Sequence, residues 1–269
     1  MAAIRRQRCV LCSIMRIELT PAIVLHRRAW RETSFIVEAF SREHGRIGVV
    51  AKGARRPKSR WRGLLEPLAA LELAWSGRGE LYTLTDIETR RRHSLAGNAL
   101  MAGFYASELV MRLTARDDPH PAIHDSLAAL LVALDDRAPA VVALRFFERD
   151  LLDELGYGVP LDITSDTGEP VEATLEYVYA PELGLRRRVG PVDDDEVAIA
   201  GSALQGLVSG RFGGRADVHA ARVLMQRAIA PHLGSQPLKS VETLKAMQAF
   251  KASGGTSAER DHSSSGDPQ

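Results

Sequence analysis

Ser34-Phe35-Ile36-Val37-Glu38-Ala39-Phe40-Ser41-Arg42-Glu43-His44-Gly45-Arg46-Ile47-Gly48-Val49-Val50-Ala51-Lys52 is the stretch from which the fold can be read. Its two apolar runs carry the period-two alternation of strands, and Glu43-His44-Gly45 has the composition of the turn between them. The same alternation extends outward, giving strands at residues 22–26, 34–40, 47–52, 68–75 and 81–89, with Gly77-Arg78-Gly79 turning the fourth into the fifth. Between the third and fourth strands, Ser59 is positioned to cap a short helix through Leu65, which Pro67 stops. Five strands with a helix between the third and fourth match the OB-fold, a small Greek-key barrel that often binds oligonucleotides. An SH3-like or other small barrel is the alternative.

After Gly97 the period changes to about 3.6, and a helical domain begins. Leu100, Met101, Phe104, Leu109 and Leu113 mark a first helix, and Ile123, Leu127, Leu130, Leu131 and Leu134 a second. A third starts with Pro139 as its first residue and meets Gly156 as a C-terminal cap. Residues 157–190 read as irregular, with a hairpin pairing 175–179 with 185–189, and helices follow at 218–230 and 239–250. The fold class is therefore α+β, an N-terminal five-stranded OB-fold barrel followed by a mostly helical C-terminal domain. The expected domains are a barrel at 15–93 and a helical domain at 97–250 carrying the 157–190 insertion. Residues 252–269, rich in Ser, Gly and charge, cannot bury a core and read as a disordered tail.

Composition narrows the class further. With 269 residues, 45% hydrophobic and 26% charged, the chain suits one or two globular domains. No apolar run approaches the roughly 20 residues that cross a bilayer, so no membrane role is expected. Residues 1–14 lack the alternation that begins after Met15 and read as an over-extended, disordered start. Cys9-Val10-Leu11-Cys12 lies in that leader, and a lone pair of cysteines is weak grounds for zinc. Two cysteines allow no disulfide framework, which together with the absence of a secretory signal points to the cytoplasm.

The formal net charge of +1 conceals two halves of opposite sign. From Arg42 to Arg62 the cations Arg42, Arg46, Lys52, Arg55, Arg56, Lys58, Arg60 and Arg62 face a single acid, Glu43. From Asp117 to Glu196 acids dominate, including Asp135, Asp136, Asp153, Glu154 and the run Asp193 to Glu196. Such asymmetry points to a polyanionic partner for one half. Arg46, Lys52, Arg55, Arg56, Lys58, Arg60 and Arg62, with Trp61 as a stacking residue, form the expected nucleic-acid site. Each cation there can neutralise a phosphate, and Gly53 and Pro57 keep the segment in a loop. The competing reading of the loop is a merely solvated charged segment, and that of Trp61 is packing onto the barrel. Phe35 and Trp75 suit the core, and Arg90-Arg91-Arg92-His93 either extends the basic face or guards a strand edge.

Catalytic and metal signatures are missing. There is no G-x-x-x-x-G-K-[ST] loop, no G-x-G-x-x-G opening a helix and no G-x-S-x-G elbow. His120 and His124 lack a third ligand, and Asp193-Asp194-Asp195-Glu196 does not converge on one point. No enzyme activity, cofactor or metal is expected.

Val24-Leu25-His26-Arg27-Arg28-Ala29-Trp30-Arg31-Glu32-Thr33-Ser34, then Phe40 to Arg46, Ala51-Lys52-Gly53-Ala54-Arg55-Arg56 and Leu64-Leu65-Glu66-Pro67-Leu68, resemble in order the opening of the RecO family. Leu155-Gly156-Tyr157-Gly158 and Pro237-Leu238-Lys239-Ser240 are later anchors. The resemblance implies a barrel that binds single- and double-stranded DNA and anneals complementary strands. It also implies two protein partners, RecR and the acidic, Phe-ending C-terminal tail of single-strand binding protein, and help in loading RecA. Many family members carry a four-cysteine zinc site after the position of Tyr157. Thr164, Thr167 and residues 184–188 stand there in this chain, so this region is expected to fold without metal. On this reading the acidic helical domain repels DNA and meets proteins. Two other classes fit the barrel: an RNA-binding module, which matched DNA and RNA affinities would distinguish, and a nucleic-acid-processing enzyme, which requires a convergent acid-base or metal set.

Overall fold

The structure, a computed structural model, describes residues 15–254. The expectations for the leader with Cys9 and Cys12, and for residues 255–269 of the tail, lie outside the described residues. The chain divides into two compact units, the first reaching to Ser94 and including Thr114–Asp135, the second comprising Leu95–Leu113 and everything from Asp136 on.

In the first unit, β1 (Met15–Trp30), β2 (Ser34–Ser41), β3 (Gly45–Ala51), β4 (Ala70–Gly77) and β5 (Tyr82–Arg91) close into a barrel in the order β1-β2-β3-β5-β4. Closure comes from β1 serving two neighbours. Its first part pairs with β4, Met15 opposite Gly77 through Ile23 opposite Ala70, and its later part with β2, Ala22 opposite Ser41 through Trp30 opposite Ser34. On the other side a short parallel ladder joins Val49 and Val50 of β3 to Tyr82 and Thr83 of β5. Alternate residues point inward, so Val24, Val37, Ala39, Ile47, Val49, Leu71, Leu73 and Trp75 fill the barrel, with Phe35 packed against them.

Two expectations need correction here. β1 is far longer than 22–26, because its polar second half is held by backbone pairing with β2 rather than by burial. The helix expected between Ser59 and Leu65 does not form. Ser59 does cap locally, its Oγ accepting from the Trp61 N–H at 3.3 Å. The chain then advances by i→i+3 turns, Arg62 N–H to Ser59 C=O at 3.2 Å and Leu64 N–H to Trp61 C=O at 3.1 Å. Gly63, at φ +72, takes a left-handed conformation in which a helix cannot propagate.

The first unit also holds α2 (Pro121–Asp135), which lies in the chain between α1 (Gly97–Leu113) and α3 (Ala140–Glu154) of the second unit. The helical region is thus not one continuous body beginning at residue 97. Residues of 114–135 are fastened to the barrel by side chains. Arg42 donates to Asp125 from two nitrogens, Nε to Oδ1 at 2.9 Å and Nη2 to Oδ2 at 2.9 Å, and Arg116 donates to Glu38 of β2.

The second unit contains α1, α3, α4 (Gly201–Ser209), α5 (Arg215–Ile229) and α6 (Lys239–Gly254) with a three-stranded sheet. That sheet places β6 (Glu176–Ala180) between β7 (Gly184–Arg187) and β8 (Val197–Ala200). The hairpin and the helices α3, α5 and α6 follow the sequence expectation, although Pro139 is the N-cap residue of α3 rather than its first turn. α6 continues through 252–254, where the tail was expected to begin. β8 and α4 were not foreseen. β8 is too short for its alternation to stand out, and α4 carries Gly201 and Gly206, which read as loop residues. Both glycines are required by packing. A Cβ on Gly201 would meet the Glu172 carbonyl, and one on Gly206 would lie 2.5 Å from the Phe212 ring.

At the positions where the resemblance implies cysteines, hydroxyl groups tie the loops. Thr164 Oγ1 and Thr167 Oγ1 are 2.8 Å apart, and Thr164 Oγ1 accepts from the Glu169 N–H at 3.0 Å. Ser165 Oγ accepts from the Leu185 N–H at 3.0 Å, joining this turn to the start of β7. Among the described residues no group of three His, Cys, Asp or Glu side chains could hold a metal ion. No described helix is long and apolar enough to cross a membrane.

Candidate nucleic-acid interface

Residues 52–69 form a turn-rich loop anchored by a few apolar side chains. Ala54 and Leu65 are fully inside the barrel cluster, and Trp61 and Leu64 pack partly against it. With the apolar residues turned inward, Lys52, Arg55, Arg56, Lys58, Arg60 and Arg62 are all exposed. Lys52, Arg56 and Lys58 have no acidic partner among the described residues. Arg55 is oriented by backbone, its N–H donating to the Thr33 carbonyl at 2.9 Å and its Nη1 to the Arg31 carbonyl at 3.1 Å. Arg62 donates to the Pro57 carbonyl at 3.3 Å and so folds back on its own loop. Arg60 donates to the Thr85 carbonyl at 3.0 Å and lies 3.4 Å from Asp86, which offsets part of its charge.

Two of the sequence-derived site residues are placed differently. Arg46 stands at the opposite end of β3 from the loop, half-buried, donating to the Thr114 carbonyl at 3.1 Å. Burial and the neighbouring Arg116 push its pKa down, against the opposing effect of Glu38. Trp61 is half-buried against the core with its indole N–H buried and without a partner, while the Arg60 guanidinium lies 5.2 Å from its ring. Of the two readings of Trp61 in the sequence, packing describes its surroundings.

The remaining cations of the barrel unit are mostly paired. Asp125 is held below the usual carboxylate range by its hydrogen bonds from Arg42, and Arg42 is correspondingly raised. Asp135 is lowered by the Ser94 N–H and by Arg91, which it meets at 3.2 Å. Arg90 lies 3.3 Å from Glu72 and Arg27 2.5 Å from Glu66. The Arg90 to His93 run is therefore partly neutralised. One exposed group is brought together only by the structure: Arg28, Trp30 and Arg31 at the tip joining β1 to β2, next to Arg55. The signal was visible as an aromatic residue among arginines, but a strand ending at 26 hid that they share a tip.

The helical unit has a different character. A cavity of about 200 Å³ is lined by Met101, Val141, Leu144, Leu244, Arg145 and Arg222, among others. Tyr105, another lining residue, donates to Glu148 Oε1 at 2.7 Å, and Arg145 donates to the same oxygen at 2.8 Å. Burial raises Glu148 to about 7, against the lowering effects of Arg145 and Tyr105. Arg222 is exposed.

Comparison with known proteins divides the chain between residues 92 and 95 and leaves 114–135 in the C-terminal match. Residues 15–92 match the family described as Recombination protein O N terminal, and residues 95–242 match Recombination protein O C terminal. A protein named DNA repair protein RecO from Aromatoleum aromaticum is 44% identical over 234 residues, 87% of this chain and 97% of the relative. One of the same name from Alkalilimnicola ehrlichii is 44% identical over 227 residues, 84% and 90% of the two chains. Another from Halorhodospira halophila is 43% identical over 235 residues, 85% and 97%.

Proposed function

This chain belongs to the RecO family of DNA repair proteins, and we propose that it acts as a non-catalytic DNA-binding recombination mediator that anneals complementary strands. The observation that carries the reading is the loop of Lys52, Arg55, Arg56 and Lys58, exposed and without acidic partners among the described residues. Annealing is opposed by repulsion between the phosphates of two strands. A surface that neutralises phosphates lowers that barrier, and because it grips the backbone it leaves base edges free to pair. Single- and double-stranded DNA both present this backbone, so both are ligands. The reading includes no bond-making step. It places the protein in the cytoplasm at the nucleoid, working with RecR to load RecA on strands coated by single-strand binding protein.

The cavity of the helical unit supports the second partner. Met101, Leu144 and Leu244 suit an aromatic terminal residue, and the exposed Arg222 suits acidic neighbours, which is the chemistry of the single-strand binding protein tail. The test is an annealing assay on complementary strands coated with that protein. The expected result is faster annealing with this chain present, and slower annealing when the coating protein lacks its C-terminal tail. No acceleration on coated or bare strands would overturn the reading.

A further inference from the structure

The chain has three tryptophans, and they sit in three different environments. Trp75 is 1% exposed in the barrel core, and Trp61 is half-buried against that core. Trp30, the last residue of β1, is 37% exposed. It reaches this position because Arg31 takes a left-handed conformation at φ +51, so the β1–β2 hairpin turns immediately after the indole. The Arg28 guanidinium lies 5.7 Å from its ring centre and that of Arg31 5.9 Å. Both are near the outer limit of about 6 Å for a cation–π contact, so either can yield the ring face to another planar group. Arg55 joins the tip to the basic loop through its bonds to the Thr33 and Arg31 carbonyls. The acid of the tip, Glu32, is exposed.

We infer that Trp30 is a base-stacking residue. One unpaired base of a single strand lies on its indole, while Arg28, Arg31 and Arg55 hold the flanking phosphates. The inference rests on the nucleic-acid reading above and adds what the loop alone cannot provide, a preference for unpaired strands. Phosphate contacts form equally with duplex, whereas a base within a duplex has both faces covered by its neighbours. An indole accepts any base, so the preference carries no sequence information.

The test uses the full chain and the variants Trp30→Ala and Trp30→Phe, with three probes of equal length: an oligothymidylate, an abasic strand with the same backbone, and a duplex. Trp30→Ala should weaken binding to oligothymidylate about 5- to 150-fold, leave the abasic strand and duplex unchanged, and act equally on oligouridylate. Trp30→Phe should restore most of the loss. An unchanged affinity of Trp30→Ala for oligothymidylate, or an equal loss on the abasic strand, would overturn the inference while leaving DNA binding intact. Failure of the unaltered chain to bind any probe would instead overturn the reading on which the inference rests.

Discussion

Arg46 and Arg56 belong to one basic run and one barrel unit, yet the ends of β3 give them opposite roles. At the Arg46 end, residues 114–125 supply partners: the Thr114 carbonyl for Arg46 and Asp125 for Arg42. At the other end, Lys52, Arg56 and Lys58 have no acid beside them among the described residues. Asp135, one of the acids expected to keep DNA off the helical part, is instead set against Arg91 of the barrel. A cation's availability to phosphate is thus decided by what folds against it, and not by the density of charge in its stretch of sequence.

The largest expected effect lies at the paired end. A Cβ on Gly45 would fall 2.1 Å from the Asp118 carbonyl oxygen, at a φ of +66. Gly45→Ala should therefore destabilise the barrel by at least about 3 kcal/mol, read by denaturant unfolding. A loss under about 1 kcal/mol would mean that 114–118 is not seated on the barrel as described.

Titration separates the two units. Glu148, raised to about 7, binds its proton more tightly folded than unfolded, so its contribution is present at acid pH and lost as pH rises through 7. Roughly 2 to 3 kcal/mol of stability should disappear between about pH 5 and 8, and Glu148→Gln, which keeps the shape of the protonated acid, should flatten that slope. Asp125 and Asp135 are shifted down, so their contributions are present above the ordinary carboxylate pKa and are lost as pH falls through their lowered values. Hydrogen exchange followed separately in the two units between about pH 5 and 8 should show the helical unit losing stability as pH rises while the barrel unit does not, and an equal loss in both would erase the distinction.

A smaller effect is expected at the Arg42–Asp125 pair, whose side chains are both about half exposed. Arg42→Ala should lower stability only slightly and leave the salt dependence of DNA binding unchanged. A shallower salt dependence would show that paired arginines also reach phosphate.

What could be read from sequence followed the strength of local periodicity. β2 and β3 alternate cleanly around Glu43-His44-Gly45, and the leucine pattern of α2 repeats along the whole helix, so both stand where expected. Information that depends on distant residues was not legible. Nothing local shows that α2 belongs with the barrel, that Arg46 faces the Thr114 carbonyl, or that Trp61 packs inward while Trp30 faces out. The Ser59 cap is legible, but the helix expected to follow it is stopped by Gly63 in its left-handed conformation, which no local pattern announces.

The most direct measurement is the salt dependence of DNA affinity for the unaltered chain and for the variant with Arg55, Arg56 and Lys58 all replaced by Ala. Every phosphate that the variant leaves un-neutralised keeps its condensed counterion, so the slope of log K against log salt should become shallower by about 2 to 3 units, somewhat less on single strands. Affinity should fall about equally for unrelated sequences, and stability should stay within about 0.5 kcal/mol. A folded triple variant with unchanged affinity and slope would contradict the account and remove this loop from the DNA-binding face.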